Sequence, residues 1–166
     1  IVIAILSIVM TMAVPAFGLW SRNIKVRTMA EAVQNGLRYA MNEAAHRNSS
    51  VSLIFTAEAS PTCSSASSTS GRNWVICSGT TALQVGYGDA GGKGAGLSSD
   101  FDSITFSGLG RTNLAGASKI DINSTAGTCE EAGGDVRCLR ILVNPGGKMR
   151  LCDPMRDSTD PAGCGS

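Results

Sequence analysis

The stretch "AMNEAAHRNSSVSLIF", Ala40 to Phe55, holds the change of rhythm that decides the fold. Up to Arg47 apolar residues recur every three or four positions; after Ser50 they fall on alternate positions, at Val51, Leu53 and Phe55. A helix therefore ends near "RNSS" and a half-buried strand begins. Tracing the first rhythm backwards, Met29, Val33, Leu37, Ala40, Met41 and Ala44 form one apolar stripe, with Arg27, Glu31, Gln34, Arg38 and Asn42 largely between them. The same helix runs back into "IVIAILSIVMTMAVPAFGLWS", Ile1 to Ser21, which carries no charge. At 1.5 Å per residue that run would span about 30 Å, enough to cross a bilayer. The result is a helix of nearly fifty residues, with Pro15 expected to kink or loosen it locally. A secretory signal peptide is the weaker reading, because no basic region precedes the run and no small-residue cleavage site follows it. The expected organisation is an apolar transmembrane half over 1–21, an amphipathic half over 22–50 and a β-rich globular part over 51–166.

Downstream of Phe55, the Ser/Thr-rich segment Ala59 to Arg72 reads as a loop and "WVIC", Trp74 to Cys77, as the strand returning from it. The glycine-rich "GYGDAGGKGAGLSS", Gly86 to Ser99, reads as a flexible loop; it lacks the flanking strand, the Lys-Ser/Thr pair and the following helix that a phosphate-binding loop needs. Further strands are expected at Ser103–Phe106, Lys119–Asn123, Val136–Asn144 and Lys148–Cys152. The fold class is α+β: a long helix packed on an antiparallel sheet.

With 166 residues there is room for one domain with a core and one long appendage. Fourteen basic and 13 acidic residues leave a net charge of +1, so no global field draws the chain to nucleic acid and any anion site must be local. The six cysteines, at 63, 77, 129, 138, 152 and 164, contain no Cys-x-x-Cys, and the single histidine, His46, is far from all of them in sequence, so no metal site is expected. Disulfides are. Fifteen pairings are open to six cysteines; the local ones, Cys63–Cys77, Cys129–Cys138 and Cys152–Cys164, are preferred because each closes a loop rich in Gly, Ser or Pro. They imply an oxidising compartment. Arg22, Lys25 and Arg27, just after the apolar run, would by themselves point to a cytoplasmic side; the cysteines outweigh them.

At this point the chain resembles the type IV pilin-like proteins, and among them the minor pilins and pseudopilins of the FimT/FimU/GspH group. The apolar first span with Pro15, running into an amphipathic helix, resembles the pilin stem. More specific are "NEAAHRNSSVSL", Asn42 to Leu53, "ITFSGLGRTN", Ile104 to Asn113, and "ILVNPGGKMRLCDP", Ile141 to Pro154, which are similar to the signatures of that group. Its mature chains begin with an N-methylated residue followed shortly by a glutamate, ahead of the apolar run, so the sequence is expected to lack the first residues of the mature protein. The resemblance implies a subunit held in the inner membrane by a single pass, with its head in the periplasm, and later part of a pilus at the cell surface. Ile1, Ile5, Ile8, Val9, Met12 and Pro15 would lie in the membrane or filament core, and the partners would be other minor and major pilins.

The hairpin in the last of these signatures carries the one candidate binding site. A three-residue loop, Pro145–Gly147, would pair Leu142 with Arg150 and Arg140 with Cys152, placing Leu139, Ile141, Val143, Met149 and Leu151 inside and Arg140, Lys148 and Arg150 on the solvent face. In the FimT branch a Gly-Arg-x-Arg motif at this place is associated with DNA binding during natural transformation; "GKMR", Gly147 to Arg150, resembles it, with Lys replacing the first Arg and losing its planar fork. Double-stranded DNA is thus a candidate partner. The plainer reading is a solvated hairpin, since Cys129 to Ser166 holds five basic residues against six acidic ones. Three roles follow: a minor pilin of an initiating or tip complex, a DNA-capturing pilus head, and a pseudopilin of a type II secretion system. No enzyme and no cofactor is expected, because nothing in the sequence places a catalytic partner beside His46.

Overall fold

The computed structural model describes residues 2–91 and 93–165, with side chains at 17–89 and 93–165. Helix α1 spans Val2–Arg47 as one element, so Pro15 does not end it. The side chains of Ile1, Ile5, Ile8, Val9, Met12 and Pro15 lie outside the described residues. Among the described residues no helix is long and apolar enough to cross a membrane; most side chains of the expected span, 1–16, lie outside the described ones.

The end of α1 is built by "RNSS". Asn48 takes a left-handed conformation, φ 47°, its N–H bonds the Ala45 carbonyl at 3.3 Å and the Ser49 N–H bonds that of Ala44 at 3.1 Å. This reversed pair of bonds satisfies carbonyls that the last turn would leave open, and asparagine tolerates the backbone it requires. The chain turns there and β1 (Val51–Thr56) starts. The other strands are β2 (Asn73–Ser78), β3 (Thr81–Gly86), β4 (Ala95–Ser99), β5 (Ser103–Phe106), β6 (Ser118–Ser124), β7 (Leu139–Val143) and β8 (Met149–Cys152).

These strands form two four-stranded antiparallel sheets, ordered β3-β2-β1-β5 and β4-β6-β7-β8. One apolar core joins them to the helix. Val26, Met29, Ala30, Val33, Leu37, Ala40 and Ala44 of α1 are buried against Val51, Leu53, Phe55, Ile104 and Phe106 of the first sheet and Leu97, Ile120, Ile122, Ile141 and Val143 of the second. Each fully buried aliphatic or Phe side chain contributes about 1.5–3 kcal/mol relative to exposure, so this shared core dominates the stability of the head. Trp74 is seated between two glycines. A Cβ on Gly36 would come within 2.8 Å of its Nε1, and one on Gly86 within 2.1 Å of its ring.

Two expectations are corrected, and one strand is new. Gly86–Ser99 is no flexible loop: it forms a 3-10 turn, Gly88–Gly91, and then β4, whose Ala95 and Leu97 are buried. Leu97 pairs with Ile122 and Gly96 with Asn123, and a Cβ on Gly96 would sit 2.2 Å from Asn123 Oδ1. The ladder to β6 makes this segment a strand. Edge strand β3 was also unforeseen, and β7 begins at Leu139 rather than Val136. There the Cys129–Cys138 disulfide and a parallel bridge between Cys129 and Val136 hold residues 136–138 outside the β6–β7 ladder.

Candidate functional site

The β7–β8 hairpin has the three-residue loop. Leu142 faces Arg150, and Arg140 faces Cys152. Asn144 closes the turn, its N–H bonding the Lys148 carbonyl at 3.1 Å, its carbonyl accepting the Gly147 N–H at 2.9 Å and its Oδ1 accepting the Lys148 N–H at 3.0 Å. Gly147 is required twice over, by its φ of 81° and because a Cβ would lie 2.1 Å from the Gly110 carbonyl oxygen. Ile141 and Val143 are buried, Leu139, Met149 and Leu151 pack partly buried against the core, and Arg140, Lys148 and Arg150 share the outer face.

Sharing a face does not make these three cations available. Asp121 on β6 stands directly opposite Arg140; the guanidinium Nε lies 2.5 Å from the Asp121 carboxylate and a second nitrogen 3.6 Å from Glu131. Partial burial works against the Arg140 charge, but the hydrogen bond and charge of Asp121, with Glu131 behind, outweigh it and raise its pKa above the ordinary value. Lys119 also leans on Asp121, at 3.6 Å. Arg150 donates to the Gly163 and Gly165 carbonyls, pinning the segment closed by the Cys152–Cys164 disulfide. Of the three, only Lys148 is exposed with no carboxylate within 4 Å among the described residues. The expected three-cation face is therefore a mixed one, because cross-strand register sets an acid opposite Arg140 and the tail claims Arg150.

The remaining sequence candidates are plainly placed. The bridges are Cys63–Cys77, Cys129–Cys138 and Cys152–Cys164. His46 is exposed in the last turn of α1, and Glu43 pairs with Arg47 one turn on, at 2.7 Å. Among the described residues no cluster of three His, Cys, Asp or Glu side chains could hold a metal.

One arrangement escaped sequence reasoning. Asp153, only 4% exposed, accepts a hydrogen bond from Arg137 Nε and one from the Met155 N–H at 2.9 Å, while Arg156 lies 3.8 Å away. It anchors one side of a groove of about 460 Å³ between the Trp20–Arg27 stretch of α1 and the ends of β7 and β8, where Trp20, Ile24, Leu139 and Leu151 supply the apolar floor. "CDPMRDSTDP" held a local signal, an Asp before Pro of the kind that caps a turn, but nothing in it pointed to Arg137 or to the helix.

The model of the family described as type II transport protein GspH matches residues 29–147, from the packed half of α1 to the hairpin turn. No curated protein sequence is significantly similar to the chain. Among solved structures the chain is similar to the type IV minor pilin FimU of Pseudomonas aeruginosa in two crystal forms. One superposes with a TM-score of 0.59 at 15% identity, covering 78% of this chain and 92% of FimU; the other gives 0.56 at 16%, covering 78% and 97%. At that identity the likeness is one of fold, and it extends the pilin architecture over helix and head together. The chain belongs to the GspH family of pilin-like minor subunits.

Proposed function

We propose that the chain is a minor pilin of a type IV pilus, entering an initiating or tip complex through α1 and presenting its disulfide-stapled head outside the cell. One observation supports this most: the helix outruns the head. Among the described side chains, Val26 is the first fully buried one along the helix, whereas Phe17, Trp20 and Ile24, all large and apolar, are 67%, 59% and 41% exposed. A surface of this kind calls for lipid or neighbouring helices. Before assembly the uncharged run anchors the subunit in the inner membrane; afterwards it packs among other pilins. A charge placed at Ile8 should cost about 2.5–3.5 kcal/mol of membrane insertion and abolish incorporation while the head still folds. Normal assembly of an Ile8→Asp subunit would refute the anchor.

The second reading, a pseudopilin of a type II secretion system, draws on the description of the matched family. Deleting the gene separates the two: loss of surface pili with secretion intact supports the first, and the reverse outcome supports the second. DNA capture has the least support, because Lys148 alone of the three hairpin cations is unengaged, and one phosphate contact gives only weak, salt-sensitive affinity. Binding of duplex DNA that disappears in Lys148→Gln would restore it.

A further inference from the structure

The cations that follow the apolar run do not stand alone, because tertiary structure brings more of them to the same level. Arg137 lies beside the end of α1's exposed stretch, its backbone N–H bonded to Asn23 Oδ1 at 2.9 Å. Arg156 and Arg27 line the same groove. On the other flank of the helix, Lys25 lies by Gly94 at the start of β4, and Arg22 by Gly127 after β6. Five cations thus ring α1 within two turns of Trp20, against three carboxylates, Glu31, Asp153 and Asp160, in contact with them. Among the described residues neither Arg22 nor Lys25 has a carboxylate within 4 Å, and the Arg27, Arg137 and Arg156 side chains remain 74%, 45% and 42% exposed.

We propose that this rim is a membrane-facing collar whose ligands are the phosphate headgroups of anionic phospholipids, with Trp20 and Ile24 seated at the acyl boundary. The inference rests on the anchoring of the apolar run. Its geometry matches a bilayer surface. From Trp20 to Arg27 the helix rises about 10 Å, slightly more than the depth of one headgroup layer, about 5–8 Å. An exposed Trp at the end of an apolar run is the usual interfacial residue, and guanidinium is suited to phosphate. Charge complementarity selects the lipid, because the collar keeps an excess of positive charge after its internal pairs are formed. It also accounts for Arg22, Lys25 and Arg27 lying on an extracytoplasmic side: they hold the head down on the outer leaflet until the subunit is withdrawn.

The test uses the full chain in nanodiscs of phosphatidylcholine alone or with phosphatidylglycerol. Retained lipid is counted by native mass spectrometry, and the depth of Trp20 is read by quenching with brominated lipids; Trp74, 3% exposed, is shielded. Phosphatidylglycerol should be preferred, the preference should fall as salt rises, and Arg22→Gln with Lys25→Gln, which leaves no carboxylate unpaired, should weaken it roughly fivefold for each cation removed. A second pair, Arg27→Gln with Arg156→Gln, keeps the Arg137–Asp153 contact and should act in the same direction. A chain that inserts but retains both lipids equally would overturn the collar and leave the anchor standing. Failure to insert at all would overturn both. Variants with unchanged lipid preference that no longer enter filaments would assign the cations to a neighbouring subunit instead.

Discussion

The sheet β3-β2-β1-β5 and the sheet β4-β6-β7-β8 share one helix and one core, yet they are held by different means. In the first, β2 buries four consecutive residues, Trp74 to Cys77, Phe55 meets Phe101 with ring centroids 6.1 Å apart, and β2 passes into β3 through a tight turn with Gly79 at φ 59°. One disulfide and one ion pair, Arg72–Asp89, belong to this side. The second sheet carries two long segments outside its strands, 125–138 between β6 and β7 and 153–165 after β8, with few apolar residues to bury. Both are stapled, by Cys129–Cys138 and Cys152–Cys164, and the ion pairs of Asp121 and Asp153 gather there. Segments that cannot order themselves by burial are ordered covalently and by charge.

The largest effect that would break this contrast is expected from the packed side. Phe55→Ala should cost about 3–5 kcal/mol and lower the melting temperature of the entire head, because Phe55 belongs to the shared core. Removing the Cys152–Cys164 bridge by a double Ser substitution should cost about 2–4 kcal/mol, with hydrogen exchange rising first over residues 153–165 and β1 still protected. Equal loss of protection in β1 would mean the two sides are not separately held. Gly86→Ala should cost about 1–3 kcal/mol by overpacking Trp74, read as a shift in tryptophan fluorescence with the thermal transition lowered.

Acid should sharpen the comparison least, since it acts on the loops of both sides. Ser65 and then the Ala66 N–H hold Glu58 below its ordinary 4.5, and Ser67 and then Ser103 hold Asp102 below 3.8. In the C-terminal loop the Thr159 N–H and hydroxyl lower Asp157, and the Ala162 N–H and then Arg156 lower Asp160. A depressed carboxylate stabilises the fold above its unfolded pKa and loses that contribution as pH falls through the folded value. Proteolysis within 58–67 and 157–162 by an acid-stable protease should therefore increase only below about pH 4, with the sheets unaffected.

Two kinds of information separate cleanly in this molecule. Local sequence carried the long helix, its apolar stripe, the turn at "RNSS", strands β1, β2, β5 and β6, the short-range cysteine pairs and the register of the last hairpin. In each of these the signal lies within about a dozen residues, as periodicity, a turn residue or a loop short enough to close. Strands β3 and β4 were not legible: "TALQVG" and "AGLSS" each offer only a short, weakly apolar alternation diluted by Gly, Thr, Gln and Ser, β3 being an edge strand that folds back on β2 through the turn at Gly79 and β4 a strand because β6 offers hydrogen bonds from distant positions. The candidate site divides in the same way. Alternation along β7 and β8 was enough to place Arg140, Lys148 and Arg150 on one face, but whether a cation is free depends on what stands across from it, and Asp121 and the Gly163 and Gly165 carbonyls come from elsewhere in the chain. The stem-end rim is the converse case, where three basic residues of the helix acquire Arg137 and Arg156 only when the sheet ends fold back on α1. Side-chain direction is a local property of the backbone; electrostatic neighbourhood is a property of the packed whole.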